Sequence, residues 1–224
     1  MTLASRLAAV DDAIADAARA AGRDEAGITR IVVTKFHPAS LVRELFALGV
    51  REVGENRGQE LIAKREELAD LEGLRWNFIG QLQSKKSRAV RAAADVIHSL
   101  DRDKLVTALE SPGEEALDVL VQVNLTSDAG RGGVDPTGLE ELAERVCAAE
   151  TLRLRGIMAV APLDEPAGRA FERLAGYAER VRSIAPDATW ISAGMSHDFA
   201  EAITHGATHL RIGSAITGPR PAQV

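Results

Sequence analysis

The chain has 224 residues, 46% of them hydrophobic, which is enough to bury a substantial core. Its 27 lysines and arginines are scattered among 33 acids, for a formal net charge of −6; no basic stripe marks a nucleic-acid track. No apolar run approaches the ~20 residues of a membrane span, which excludes a transmembrane helix as an organising element.

In chain order, the start carries Asp11, Asp12 and Asp16 and is too acidic for a signal or transit peptide. A cytoplasmic protein is therefore expected. Leu3, Leu7, Val10, Ile14 and Ala18 recur at helical spacing and predict an opening helix over 3–21, stopped by Gly22. The rhythm then changes. Short β-rich runs at 30–35, 52–56, 76–80, 96–100, 119–125, 155–160, 189–194 and 209–214 alternate with helical stretches at 40–48, 59–71, 84–94, 103–110, 139–150, 168–184 and 198–205. This alternation predicts an α/β fold, a single (β/α)8 TIM barrel over 1–224 with an extra N-terminal helix. An open doubly wound sheet would alternate in the same way, but the position after its first strand usually carries a glycine-rich turn, and here it reads Lys35-Phe36-His37-Pro38.

The loop over 127–138 is the longest irregular stretch and suits either a mobile cover or plain surface. The one cysteine, Cys147, excludes a disulfide framework and a cysteine-cluster metal site, and reads as a buried structural thiol. His197, His205 and His209 read as surface histidines, so no metal is expected.

Barrel active sites lie at the carboxyl ends of the strands. The residues closing these strands are Lys35, Asn56, Gly80, Ser99, Asn124 and Met158, with Ser196 past the seventh strand and Gly213-Ser214 at the eighth. Lys35 follows Ile31-Val32-Val33-Thr34, the apolar signature of a strand covered on both faces. The other four lysines, Lys64, Lys85, Lys86 and Lys104, lie in helical or polar stretches and default to the surface. An amine in an apolar mouth loses its proton more readily and becomes a nucleophile for an aldehyde. Small residues in Ser192-Ala193-Gly194-Met195-Ser196 and Gly213-Ser214 would let amides and hydroxyls meet a phosphate after strands seven and eight. Arg211 shares a strand face with Gly213. A guanidinium there would keep the ring nitrogen of pyridoxal 5′-phosphate (PLP) unprotonated, and a structural ion pair is the alternative.

The segments Val33-Thr34-Lys35, Val53-Gly54-Glu55-Asn56, Trp76-Asn77-Phe78-Ile79-Gly80, Leu82-Gln83-Ser84, Arg155-Gly156-Ile157-Met158, Gly194-Met195-Ser196 and Arg211-Ile212-Gly213-Ser214-Ala215-Ile216 together resemble the PLP homeostasis proteins of the YggS/PROSC type, in order from about residue 30 to residue 218. The resemblance implies a fold like the N-terminal domain of alanine racemase, with PLP held as an internal aldimine on Lys35. It further implies phosphate contacts from Ser196, Gly213 and Ser214, a ring-nitrogen partner in Arg211 and a ring neighbour in Asn56. The implied role is intracellular vitamin B6 homeostasis without turnover, by a monomer supplying PLP to apo-enzymes, with neither nucleic acid nor membrane as a partner. Asn77 stands where the motif commonly has histidine, and Arg131 falls where relatives often carry lysine. The rival readings are a PLP-dependent racemase or decarboxylase and a Schiff-base aldolase. Such racemases add a β-domain that supplies a second base, whereas about ten residues follow the eighth predicted strand here and the single tyrosine, Tyr177, falls in a helix.

Overall fold

The computed structural model describes residues 1–128 and 130–219. Among these residues, eight parallel strands pair in chain order and close into a barrel. The strands are β1 (Thr29–Val33), β2 (Glu52–Glu55), β3 (Arg75–Phe78), β4 (Val96–Leu100), β5 (Leu117–Gln122), β6 (Leu152–Met158), β7 (Trp190–Ser192) and β8 (His209–Ile212). The helices are α1 (Leu3–Ala20), α2 (Ala39–Ala47), α3 (Gly58–Glu67), α4 (Ser87–Ala93), α5 (Asp103–Leu109), α6 (Leu139–Cys147), α7 (Ala167–Ile184), α8 (Phe199–Thr204) and α9 (Ser214–Thr217).

All eight expected strands are present, shorter at several carboxyl ends than expected. Lys35 lies beyond β1 in a turn, and Gly213-Ser214 leave β8 to begin α9. The residues that close a barrel strand toward a ligand bend out of the hydrogen-bonded ladder, so apolar composition overstates the strand. The loop over 127–138 folds back on β5, with Asn124 N–H donating to Val134 O (2.9 Å) and Val134 N–H to Gln122 O (2.8 Å).

Strand side chains alternate between the barrel lumen and the helix layer. Val32, Val53, Ile97, Val119, Ile157, Ile191 and Ile212 join the apolar stripes of the helices in one large core. A second, smaller cluster of Val96, Leu120 and Met158 belongs to the lumen, with Val160 and Trp190 against it. Helix α1 buries Leu7, Val10, Ile14 and Ala18, four residues on one face. It is capped by Thr2, whose hydroxyl accepts from Ser5 N–H (3.1 Å), and Arg6 Nε donates to Ile216 O (2.6 Å), tying the first helix to the last.

Three sequence expectations are corrected. Cys147 is exposed, because α6 turns Leu139, Leu142, Ala143 and Val146 inward and Cys147 falls beside that face; burial of its immediate surroundings and Glu144 push its thiol pKa up. His209 is buried, since it starts β8 and points into the lumen against Trp190, with ring centroids 4.3 Å apart. Lys64 is buried as well, because α3 lays it under the end of β1.

There Lys64 Nζ donates to Thr34 O (2.8 Å) and to Glu55 Oε1 (2.6 Å), and Thr34 Oγ1 donates to the same Glu55 oxygen (2.6 Å). Burial raises the pKa of Glu55 against the opposing pull of Lys64. Removing one partner of a buried pair strands the other's charge. Lys64→Ala is therefore expected to cost about 3–5 kcal/mol in urea unfolding; a loss below about 1 kcal/mol, the range of exposed pairs, would show that the pair does not support the fold.

Candidate functional site

The carboxyl ends of the strands enclose a cavity of about 460 Å³, within the range of small-ligand sites. Lys35, Asn56, Ser196, Arg211, Gly213 and Ser214 all line it. The structure thus brings together the six residues named for the cofactor, whereas of Ser192-Ala193-Gly194-Met195-Ser196 only Met195 and Ser196 reach the lining and Ser192 is buried beneath it. Gly80, Ser99, Asn124 and Met158, also read as strand-closing residues, lie outside its lining.

The turn carrying Lys35 is held from the neighbouring unit. Thr34 N–H still donates to Gly54 O (3.0 Å), but Phe36 has φ of 67°, a left-handed conformation that costs a bulky residue energy. Phe36 N–H donates to Glu60 Oε2 (2.8 Å), and the Arg57 guanidinium lies 4.6 Å from the centre of the Phe36 ring. Both contacts come from α3 and its lead-in, so the second βα unit dictates where the first strand delivers its lysine. The neighbouring His37 also lines the cavity, its pKa lowered by burial and by Lys64.

Asn56 is fixed by a close backbone approach. A Cβ on Gly80 would sit 2.0 Å from Asn56 O, so only glycine fits there. Asn56 Oδ1 is buried with no hydrogen-bond partner among the described residues, although the residue lines the cavity. A ligand group would satisfy it.

The loops after β7 and β8, the latter strand paired with β1, also reach the cavity. Gly194 has φ of 88°, and a Cβ on it would lie 2.8 Å from Ala202 Cβ; glycine is required for the turn into Met195-Ser196. Asp198 Oδ1 accepts from Met195 N–H (2.5 Å) and fixes that turn. In α9 the first intrahelical bond runs from Ile216 N–H to Gly213 O (2.8 Å). The amides of Ser214 and Ala215 precede it and are not used by the helix.

Arg211 is 4% exposed. Its Nη1 donates to Ser192 Oγ (2.7 Å) and its Nη2 to Ala159 O (2.7 Å). Among the described residues no carboxylate lies within ion-pair distance of it, so the structural ion pair held open from sequence is not made. Burial lowers its pKa to about 10, with Asp198 opposing; it remains cationic at neutral pH.

Sequence reasoning missed what lies beneath Arg211. His98, fully buried on β4, places Nδ1 at 2.9 Å from Ser192 Oγ and Nε2 at 3.0 Å from Asn77 Oδ1. Asn77 Nδ2 donates to Glu52 Oε2 (2.8 Å). The signal available was two polar residues, His98-Ser99, inside an otherwise apolar strand. Burial lowers the pKa of His98 well below its ordinary value, helped by His209, Arg211 and Arg75; burial with Arg75, Arg155 and Arg211 lowers that of His209 to about 4.

A family model described as alanine racemase, N-terminal domain, matches residues 7–221. The pyridoxal phosphate homeostasis protein of Mycobacterium bovis is 41% identical over 239 residues, covering 97% of this chain and 93% of the relative. Its namesake in Escherichia coli is 38% identical over 226 residues, covering 97% of each. The structure of PipY from Synechococcus elongatus with PLP bound is similar at a TM-score of 0.82 and 32% identity, over 97% of this chain and 100% of that one. Alanine racemase from Corynebacterium glutamicum shares the fold, with a TM-score of 0.71 at 17% identity over 95% of this chain and 63% of that one.

The buried histidines carry a pH dependence. A histidine whose pKa is depressed on folding is protonated first in the unfolded chain, near pH 6.5. The stability it contributes is complete above that pH and is lost as the pH falls toward the folded value, about 4 for His209. Unfolding free energies from urea titrations between about pH 6.5 and about pH 4.5 should fall by up to roughly 1.4 kcal/mol per pH unit for each such histidine. His209→Phe should remove part of that slope, and a flat wild-type profile would contradict neutral burial.

Proposed function

The chain belongs to the pyridoxal phosphate homeostasis proteins, within the alanine racemase N-terminal domain family, and from that premise we propose that it holds PLP on Lys35 and buffers its supply to PLP-dependent apo-enzymes. The observation that carries this reading is the convergence on one cavity of Lys35, the Arg211 guanidinium, hydrogen-bonded to a hydroxyl and a backbone carbonyl, and two small-residue turns bearing Ser196 and Ser214. An amine, a ring-nitrogen donor and an anion cradle are the three contacts that this cofactor's chemistry asks for. The orphaned Asn56 oxygen between them fits a ligand in place.

When bound, the cofactor supplies an aldehyde carbon open to an uncharged amine, and a phosphate that anchors it. Lys35 is the attachment point. The hydroxyls of Ser196 and Ser214 and the amides of Ser214 and Ala215 donate to the phosphate, where hydrogen bonds to a full charge are about twice as strong as neutral ones. Arg211 donates to the ring nitrogen and keeps its own proton, leaving that nitrogen unprotonated. Asn56 flanks the ring. The reading extends to a cytoplasmic monomer whose residues 1–224 act as one unit without turnover. In support, Tyr177 lies on α7 against Arg180, with the guanidinium 5.2 Å from its ring centre, and not in the cavity lining. No helix among the described residues is long and apolar enough to cross a membrane.

The test uses the purified chain loaded with PLP. Visible absorbance should appear and borohydride should fix it to Lys35, and Lys35→Ala should abolish both. Ser196→Ala and Ser214→Ala should each weaken PLP binding roughly 10- to 100-fold, the effect of losing a hydrogen bond to a charged group. Loaded protein should activate a PLP-dependent apo-enzyme in the presence of a trap for free PLP. Undiminished fixable colour in Lys35→Ala would overturn the attachment. Rapid racemisation or decarboxylation of any amino acid would overturn the carrier role.

A further inference from the structure

The barrel lumen holds polar side chains that the proposed cofactor contacts leave unused. Glu52, Asn77, His98, Ser192 and Arg211 come from five different strands or strand ends and form an unbroken series of contacts from the amino-terminal floor of the barrel to the cavity. His98 on β4 and Ser192 on β7 are not on neighbouring strands, so they meet across the lumen.

The series has one direction only. Asn77 Nδ2 faces two acceptors, Glu52 Oε2 at 2.8 Å and Val53 O at 3.2 Å, and the second is a backbone carbonyl that can do nothing but accept. The Glu52 carboxylate is paired with Arg75, whose Nη1 donates to its other oxygen (3.3 Å). The Asn77 amide is therefore turned so that Oδ1 faces His98 Nε2, and a hydrogen bond there requires Nε2 to carry the proton. The ring is surrounded by His209, edge-on at 6.3 Å, and by Arg211 and Arg75, with no carboxylate paired with it among the described residues. It is therefore neutral and Nδ1 is bare. Ser192 must give its hydroxyl proton to Nδ1, which leaves its oxygen lone pairs for Arg211 Nη1. Were the hydroxyl turned the other way, its proton would oppose the guanidinium.

We propose that Asn77, His98 and Ser192 are positioning residues for Arg211: a one-way hydrogen-bond relay anchored at Glu52 gives the guanidinium a fixed acceptor on the side away from the cavity and aims its remaining N–H groups at the cofactor ring. The relay rests on the reading of the cavity as a PLP site. It extends that reading by assigning to the barrel core the task of holding the ring nitrogen unprotonated. Of the five donors of a guanidinium, one on each of Nη1 and Nη2 is used by Ser192 and Ala159, and Arg211 also lines the cavity.

Two measurements test it. In the PLP-free protein, nitrogen NMR of His98 should show the Nε2–H tautomer from about pH 6 upward; a proton on Nδ1, or on both nitrogens, would overturn the relay. In protein loaded with ring-labelled PLP, Ser192→Ala should raise the pH at which the ring nitrogen takes up its proton by about one unit and speed PLP release roughly tenfold. Asn77→Asp, which sets a second carboxylate beside Glu52 and favours a doubly protonated His98, should move the ring nitrogen in the same direction. Unchanged ring-nitrogen titration in both variants, with Lys35 still fixable by borohydride, would sink the relay and leave the cofactor reading standing. If wild-type Lys35 is not fixed at all, the cofactor reading falls, and the His98 tautomer in the PLP-free protein still decides the relay.

Discussion

A buried guanidinium that has no carboxylate within ion-pair distance among the described residues is the constraint around which this site is organised. Removing an ion from water costs several kcal/mol even after relaxation, and Arg211 at 4% exposure is offset by hydrogen bonds to a hydroxyl and a backbone carbonyl and by the more distant charge of Asp198. Those two acceptors lie on the neighbouring β7 and just past β6, so they are in place only because the parallel ladder closes. Burial lowers its pKa to about 10 and leaves it cationic at neutral pH. A positive charge at the edge of a cavity favours an electron-rich partner there.

The end of β1 solves a different problem. An amine must be delivered at a set height while the strand that carries it ends. Lys64, Glu55 and Thr34 form a buried polar knot under that exit, and Glu60 captures Phe36 N–H in a conformation the residue would not choose alone. The energy for this comes from α3 and β2, so the position of Lys35 is a property of two consecutive βα units. The last helix is secured in the same spirit from far away in sequence, by Arg6 of α1 holding Ile216 O.

The barrel and the lining of its cavity were legible in the sequence because both rest on local rules. Eight apolar runs alternating with helical stretches admit few architectures, and ligand-bearing residues at strand ends follow from the direction of a parallel barrel. What stayed hidden required knowing which side chains meet across the lumen. Val96-Ile97-His98-Ser99-Leu100 reads as an ordinary strand, and nothing in its spacing says that His98 will find Ser192 ninety-four residues later. Lys64 and His209 were misjudged for the same reason: a polar side chain is assigned to the surface by default, and only a distant partner reverses that. The Asn77 departure from the resembled motif was visible but carried no meaning until Glu52 and His98 stood on either side of it.

On the proposed reading the Arg211 site and the end of β1 have complementary tasks. A protein that stores a reactive aldehyde must bind it firmly, keep it from reacting, and give it up. Firmness comes from phosphate donors built of backbone and small residues, which need no rearrangement to bind. Restraint comes from the ring nitrogen: a donor that keeps its own proton withdraws less electron density from the ring than a protonated nitrogen would, so a carbanion gains little stability there. Release comes from the attachment itself, since a single amine–aldehyde link can be exchanged by another amine or by water. An acid in place of Arg211 would keep the grip and the exchange while turning the ring into a strong electron sink. On that reading, an arginine at this position, held by the barrel core, keeps the ring a weak electron sink.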